Sequence, residues 1–351
     1  MRYIDVIVDN KSDNTDTFYT YRTDFDVKIG DKVSVPFARR KNPVDGYIFD
    51  VDVKTTVEDA KIKEVIEVQD NSSLNAEIID TAKWMKTRYG VRYIDAVKLF
   101  TTEGKREKAI EIIGQEVADY RPELTNEQSK AVSRIISAIK SDEHKAFLLK
   151  GVTNSGKTEV YMRSAEEALK QGKSVIALVP EIALSSQMAR VFMGRFGDDK
   201  VAVLHSKLTT SQRLSEWNRI RRGAAKIIIG ARTAIFAPAD NIGLIIMDEE
   251  HESTYKSDHT PKYDTIDVAY RRSKYYNASL VLGSATPSVV SYHRAGVGIY
   301  ELLEMNERIG VSEPPEFHIV DMRKELRNGN RGNFSKALVD SMNEVLEVGK
   351  Q

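Results

Sequence analysis

The stretch from Ala146 to residue 170 leaves this chain little freedom in choosing a fold. Four apolar residues, Ala146-Phe147-Leu148-Leu149, run into Gly151-Val152-Thr153-Asn154-Ser155-Gly156-Lys157-Thr158, and a helical pattern follows over 157–170. A strand, a glycine loop and a helix N-terminus in that order make an anion cradle, because loop N–H groups and the helix end converge on one point. The loop fits the pattern G-x-x-x-x-G-K-[ST], in which the lysine reaches β- and γ-phosphate oxygens and the hydroxyl residue ligates Mg²⁺. Lys157 therefore reads as the phosphate residue and Thr158 as a metal residue, with Gly151, Thr153, Asn154, Ser155 and Gly156 forming the cradle. Asn154 suits a loop of this kind because asparagine tolerates a left-handed backbone. A plain glycine turn is the alternative, and the flanking strand and helix argue against it.

The rest of 124–283 repeats the same alternation. Val175–Val179, Val201–Leu204, Ile227–Ile229, Leu244–Met247 and Leu280–Leu282 are short apolar runs between amphipathic helices. Continuous apolar strands of this kind imply a mostly parallel sheet covered on both faces, an α/β fold. Leu244-Ile245-Ile246-Met247 delivers Asp248-Glu249-Glu250-His251 at its C-terminal end, where open parallel sheets place their ligands. Asp248 is expected to hold Mg²⁺ through water, and Glu249 to orient and deprotonate an attacking water. Lys157 and Asp248 would then share one magnesium-bound triphosphate. Gly283-Ser284-Ala285-Thr286-Pro287-Ser288 follows another strand and offers two hydroxyls, Ser284 and Thr286, in the same sheet. Glu316–Val320 reads as one more strand and Lys336–Val348 as one more helix.

Residues 1–70 have a different character. Tyr3–Val8, Asp31–Val35, Gly46–Phe49, Val51–Val53 and Val65–Val68 are β-branched and aromatic runs, separated by turn chemistry such as Asn42-Pro43-Val44-Asp45-Gly46. A small mainly-β domain is expected, with a trailing helix over about 74–100. The expected boundaries are 1–105 for this domain, 106–123 for a charge-dense, partly helical linker, and 124–351 for the α/β lobe.

Several classes are excluded. There is no cysteine, hence no disulfide framework and no thiolate zinc site, and the six histidines show no metal-ligand spacing. The lack of cysteine fits a cytoplasmic protein. No run approaches about 20 apolar residues, and the N-terminus has no secretory pattern. Lys plus Arg equals Asp plus Glu, 52 against 52, so any grip on nucleic acid must be local.

Taken together, GVTNSGKTEVYM (Gly151–Met162), VPEIALSSQM (Val179–Met188), LHS (Leu204–Ser206), IGARTAIFAP (Ile229–Pro238), MDEEHESTYK (Met247–Lys256) and LGSATPS (Leu282–Ser288) resemble the PriA family of replication-restart helicases, in the family's order. The resemblance implies a RecA-like P-loop lobe of superfamily 2 behind a domain that binds DNA 3′ ends. It also implies an ATP-dependent 3′-to-5′ helicase acting on stalled forks, with ATP and Mg²⁺ as cofactors. Implied partners are single-stranded DNA, single-stranded DNA-binding protein and primosome loading proteins. Under it Gln128 recognises adenine, Asp248 and Glu249 are the metal and catalytic acids, and His251, Ser284 and Thr286 couple nucleotide state to DNA. Pro180, Glu181, His205, Ser206, Arg232 and Thr233 match segments along the DNA path. The 3′-end pocket maps to Tyr19, Thr20, Ala38 and Lys63, with Arg39 in a basic run beside it; Thr20 and Ala38 depart from the acid and glycine frequent there.

For Tyr255, Lys256 and Tyr263 two readings stand: aromatic rings stacking on bases beside a phosphate-binding lysine, or tyrosines packed within a loop. The basic sets Arg213, Arg219, Arg221, Arg222, Lys226, Arg232 and Arg271, Arg272, Lys274 are either solvated faces or, in part, phosphate contacts. The family's winged helix, zinc-binding cysteine cluster and second RecA-like lobe find no counterpart in these residues, so slow hydrolysis by the chain alone is expected. A DNA-structure binding module using the nucleotide lobe as a platform is the alternative function. A generic P-loop enzyme such as a kinase fits D-E-E-H plus S-A-T-P poorly.

Overall fold

The computed structural model describes residues 2–10, 12–69, 73–102, 104, 106–108, 121–180, 187–310 and 317–349. Two compact units divide between Arg308 and Ile309.

The first unit opens with a six-stranded sheet of β1 (Arg2–Val8), β2 (Tyr19–Thr23), β3 (Lys32–Val35), β4 (Val44–Val51), β5 (Lys63–Glu64) and β6 (Glu67–Val68), in the order β5-β2-β1-β4-β3-β6. All pairings are antiparallel except β2 with β5. The period-two pattern explains how it packs. Ile4, Val6, Val8, Val33, Val35 and Ile48 point into a small core of their own, while Ile7, Tyr47 and Phe49 join a larger core with α1 (Ala76–Tyr89) and α2 (Tyr93–Leu99). Asn75 caps α1 by accepting from the Ile78 N–H, and Gly90 ends it in a left-handed conformation.

The same larger core continues into the α/β region. Its sheet holds β7 (Lys145–Gly151), β8 (Ser174–Leu178), β9 (Val201–Leu204), β10 (Ile227–Gly230), β11 (Ile242–Met247), β12 (Ser279–Ser284) and β13 (Glu301–Met305), in the order β13-β7-β12-β11-β8-β10-β9. Every neighbouring pair is parallel. Alternate residues face opposite layers. Phe147, Leu149, Val175 and Ala177 pack with α3 (Asn126–Ser141), α4 (Lys157–Lys170) and α5 (Gln187–Phe196). Ala146, Leu148, Ile176 and Leu178 pack into the opposite core, which also takes in α6 (Thr210–Arg221), α7 (Thr265–Tyr275) and the N-terminal helices. The six apolar runs read from sequence are all strands. Strand β13 is an addition: it carries Glu301 and Glu304, which pair with Arg134 and Lys150 at the sheet edge, so its sequence lacks a continuous apolar signature.

Beyond Met305 the expectations change. Residues 317–320 form no strand, and Glu316 lies outside the described residues. The expected helix is present as α10 (Lys336–Glu347), preceded by α9 (Met322–Arg327), both within the second unit. Glu325 ties them by accepting from the Asn330 side chain and from the Lys336 N–H. By contacts, both the β-rich and the α/β regions fall in the unit that ends at Arg308. Most of the linker expected to be partly helical, 109–120, lies outside the described residues.

Candidate nucleotide and nucleic-acid site

Strands β7, β12 and β11 are neighbours, so their C-terminal ends bring three motifs to one edge. After β7 the loop turns through Asn154 (φ 64°) and Gly156 (φ 78°), both left-handed, into α4. Asn154 accepts that backbone, as its chemistry allows. A Cβ on Gly151 would lie 2.5 Å from Ser155 Oγ and 3.1 Å from Lys157 Cγ, so a larger residue would displace those two side chains. Lys157 Nζ donates to the Gly151 carbonyl (2.8 Å) and lies 4.0 Å from Glu249 Oε1. Ser155 Oγ is buried and has no hydrogen-bond partner. An orphaned hydroxyl, a folded-back lysine and a positive helix end suit a phosphate chain.

At the acid end, Asp248 and Glu249 follow β11, Glu249 with φ 48°. Tyr161 on α4 donates to Asp248 Oδ1 (2.9 Å), and Tyr255 donates to the Asp248 carbonyl (2.8 Å). Burial raises the Asp248 pKa, opposed by the Tyr161 hydroxyl and the Lys157 charge. Burial and the Asp248 charge raise that of Glu249, which makes it a stronger base. His251 Nδ1 lies 2.7 Å from Ser284 Oγ, which also accepts from the Thr286 N–H (3.0 Å). Glu250, the remaining acid of the run, is buried and accepts from the Ser288 N–H, the Ser288 hydroxyl and the Ser291 hydroxyl at the start of α8 (Val289–Gly296). The Glu250 N–H also donates to the Gly283 carbonyl (2.9 Å), so acid turn and S-A-T turn are bonded through both side chains and backbone. Thr158 and Asp248 are the residues that could hold a divalent cation. Among the described residues no group of three or more His, Asp or Glu is arranged around a common metal position.

Gln128, expected to recognise adenine, lies beneath the phosphate loop. It is 1% exposed, its Nε2 donates to the Ser155 carbonyl (2.9 Å), and its Oε1 accepts from the Thr125 N–H in a capping box. With both ends engaged beneath the loop, it braces the cradle.

The expected polynucleotide residues divide. Ser206, Arg232, Thr233 and Lys256 line one cavity of about 570 Å³ with Arg213. Arg232 donates to the carbonyls of Thr254 (3.2 Å) and Lys256 (2.7 Å). His205 stands at the end of β9, its carbonyl accepting from Arg213. Pro180 does not line this cavity, and Glu181 lies outside the described residues. Tyr255 (2% exposed) and Tyr263 (5%) are core residues, and Tyr263 meets Phe236 edge to face at 4.9 Å. Their burial favours the packing reading for Tyr263, while Tyr255 also borders the cavity of Arg232 and Lys256.

In the N-terminal sheet, Tyr19, Thr20, Ala38 and Lys63 do meet, lining a cavity of about 760 Å³ with Phe18, Phe37 and Arg40. Arg40, not Arg39, reaches it. Lys63 Nζ donates to the Ala38 carbonyl (3.1 Å), and Thr20 donates to Asp5 Oδ1 (2.8 Å), so a carboxylate stands one bond behind the threonine. The basic sets are largely structural. Arg219 holds Glu216 and the carbonyls of Asp198, Asp199 and Val201; Arg271 pairs with Asp80; Arg272 is 0% exposed. Sequence reasoning assigns no role to Tyr161, Glu250 or Asp5, and the i, i+4 spacing of Lys157 and Tyr161 is the available signal for the first; Arg40 belongs to the basic run expected beside the pocket.

No helix among the described residues is long and apolar enough to cross a membrane. Residues 125–294 match the family model described as DEAD/DEAH box helicase, and residues 5–101 match that of a 3′ DNA-binding domain. The chain is 50% identical over 228 residues to the replication restart protein PriA of Bacillus subtilis, covering 65% of this chain and 28% of the relative. It is 40% identical over 293 residues to that of Treponema pallidum, covering 82% and 43%, and 34% identical over 336 residues to that of Rickettsia conorii, covering 95% and 50%. It thus spans half or less of these relatives' lengths. Both domain types, in this order and with their motifs assembled on adjacent strand ends, place the chain in the PriA replication restart protein family.

Proposed function

We propose that this chain is the nucleotide-binding and DNA-end-binding part of an ATP-dependent 3′-to-5′ DNA helicase of replication restart. The observation that carries the reading is the meeting of Lys157 with the acid turn, 4.0 Å from Glu249, at the ends of neighbouring strands. Bound there, Mg²⁺–ATP supplies the transferable phosphoryl group and neutralises its charge. The loop N–H groups and Lys157 bind the β- and γ-phosphates. Thr158 and Asp248 would hold the cation, which would offset the charge on the phosphates. Glu249, its basicity raised by burial, orients water and accepts its proton. The bonds from His251 to Ser284, and from Glu250 to Ser288 and Ser291, carry changes at the acid turn to β12 and α8. Single-stranded DNA lies along Arg232, Thr233 and Lys256, and a DNA 3′ end enters the Tyr19–Lys63 cavity. Single-stranded DNA-binding protein and primosome loading proteins are the proposed partners, in the cytoplasm.

Titration with a fluorescent ATP analogue tests this: Lys157→Ala should weaken Mg²⁺-dependent binding at least tenfold, and equal binding by the variant would refute it. A second reading, a fork-structure binding module, is favoured by the shared core of the N-terminal helices and the α/β sheet. Fork preference retained without nucleotide at two salt concentrations would support it; equal affinity for plain duplex would not.

A further inference from the structure

Tyr161 stands one turn after Lys157 on α4, so one helix presents both side chains on one side. The phenol is 1% exposed, and its hydroxyl donates to Asp248 Oδ1 at 2.9 Å. The space it occupies is cut to fit. A Cβ at Gly283 would lie 1.7 Å from Tyr161 Oη, 2.9 Å from its Cζ and 3.5 Å from Asp248 Oδ1. Three motifs therefore converge on one hydroxyl: the phosphate loop's helix, the acid strand β11 and the S-A-T strand β12. Packing alone would be served by phenylalanine, since the ring lies in a core with Val160, Ala165 and Phe147. A buried hydroxyl is unfavourable unless it is bonded, and here the bond goes to the metal-binding acid. A carboxylate's χ2 is otherwise a broad rotor, and a bond to one oxygen fixes it.

We infer that Tyr161 is a positioning residue for the Asp248 carboxylate, so that the helix holding the phosphate lysine also sets the orientation of the cation-binding acid. The inference rests on the nucleotide site proposed above. Partners of this kind behind a metal ligand change metal affinity by about 10–100-fold when removed.

The test is affinity for a fluorescent ATP analogue across a Mg²⁺ titration, on the whole chain and on Tyr161→Phe. The half-saturating Mg²⁺ concentration is expected to rise about tenfold in the variant. Affinity measured in excess EDTA should stay within about twofold of the parent, because the loop and Lys157 are untouched. An unchanged Mg²⁺ requirement overturns the inference. Equal weakening with and without Mg²⁺ also overturns it, since that is what a packing role would produce. A parent chain that binds no nucleotide under either condition overturns the proposed site, and this inference with it.

Discussion

Glu77→Gln is the substitution that most directly tests how the N-terminal domain is joined to the helicase domain. Arg272 on α7 is 0% exposed and Glu77 on α1 is 1% exposed. Arg272 Nε and Nη2 bond the Glu77 carboxylate at 2.7–3.2 Å, and Nη1 donates to the carbonyls of Ile235 and Ala237. Thr81 donates to Glu77 Oε1 (2.7 Å), and the guanidinium stacks 5.3 Å from the Phe100 ring. Gln at 77 keeps the shape and removes the charge. It leaves an uncompensated cation in a dry site, which costs about 3–5 kcal/mol. At about 2–4 °C per kcal/mol for a unit of this size, the melting temperature should fall by at least about 6 °C. Replacing both partners with apolar residues, Glu77→Met with Arg272→Leu, should recover most of that loss. Urea titration followed by tryptophan fluorescence reports from both sides of the junction, because Trp84 lies on α1 and Trp217 on α6. A Glu77→Gln loss below about 1 kcal/mol, or two separate transitions in the parent, would refute the claim that this buried pair makes one folding unit of two domains.

Further outcomes follow from the site. The raised Asp248 and Glu249 pKa values mean that the folded chain binds more protons than the unfolded one between the ordinary carboxylate range and the raised values. Their contribution to stability therefore falls as pH rises through that window, and Asp248→Asn should stabilise the nucleotide-free chain by about 1 kcal/mol in a neutral-pH melt while weakening Mg²⁺–nucleotide binding. Lys63→Ala should weaken binding of a 3′-ended oligonucleotide and lower the log–log salt slope by about 1, as seen by fluorescence anisotropy. Arg232→Ala should weaken single-strand binding, whereas Tyr263→Phe should leave it within about twofold, because that ring is core; a large loss from Tyr263→Phe would contradict the burial.

The sequence by itself determined the α/β class, the six apolar strands, the phosphate loop and the acid run. These signals are local: a strand, a glycine turn and a helix start lie within a few residues of one another, and apolar runs reveal burial on both faces. It did not determine β13, because an edge strand that pairs its acids with Arg134 and Lys150 is half polar. Nor did it decide which polar residues face outward. Gln128, Tyr263 and Arg272 each carry a group that suits a ligand, yet each is buried against a partner distant in sequence. Only the strand order places Tyr161 against Asp248 and Gly283, and only the packing of α1 on α7 closes Glu77 over Arg272. Local chemistry fixes what a residue is able to do, whereas the long-range contacts that exclude water decide which of those capacities remains available.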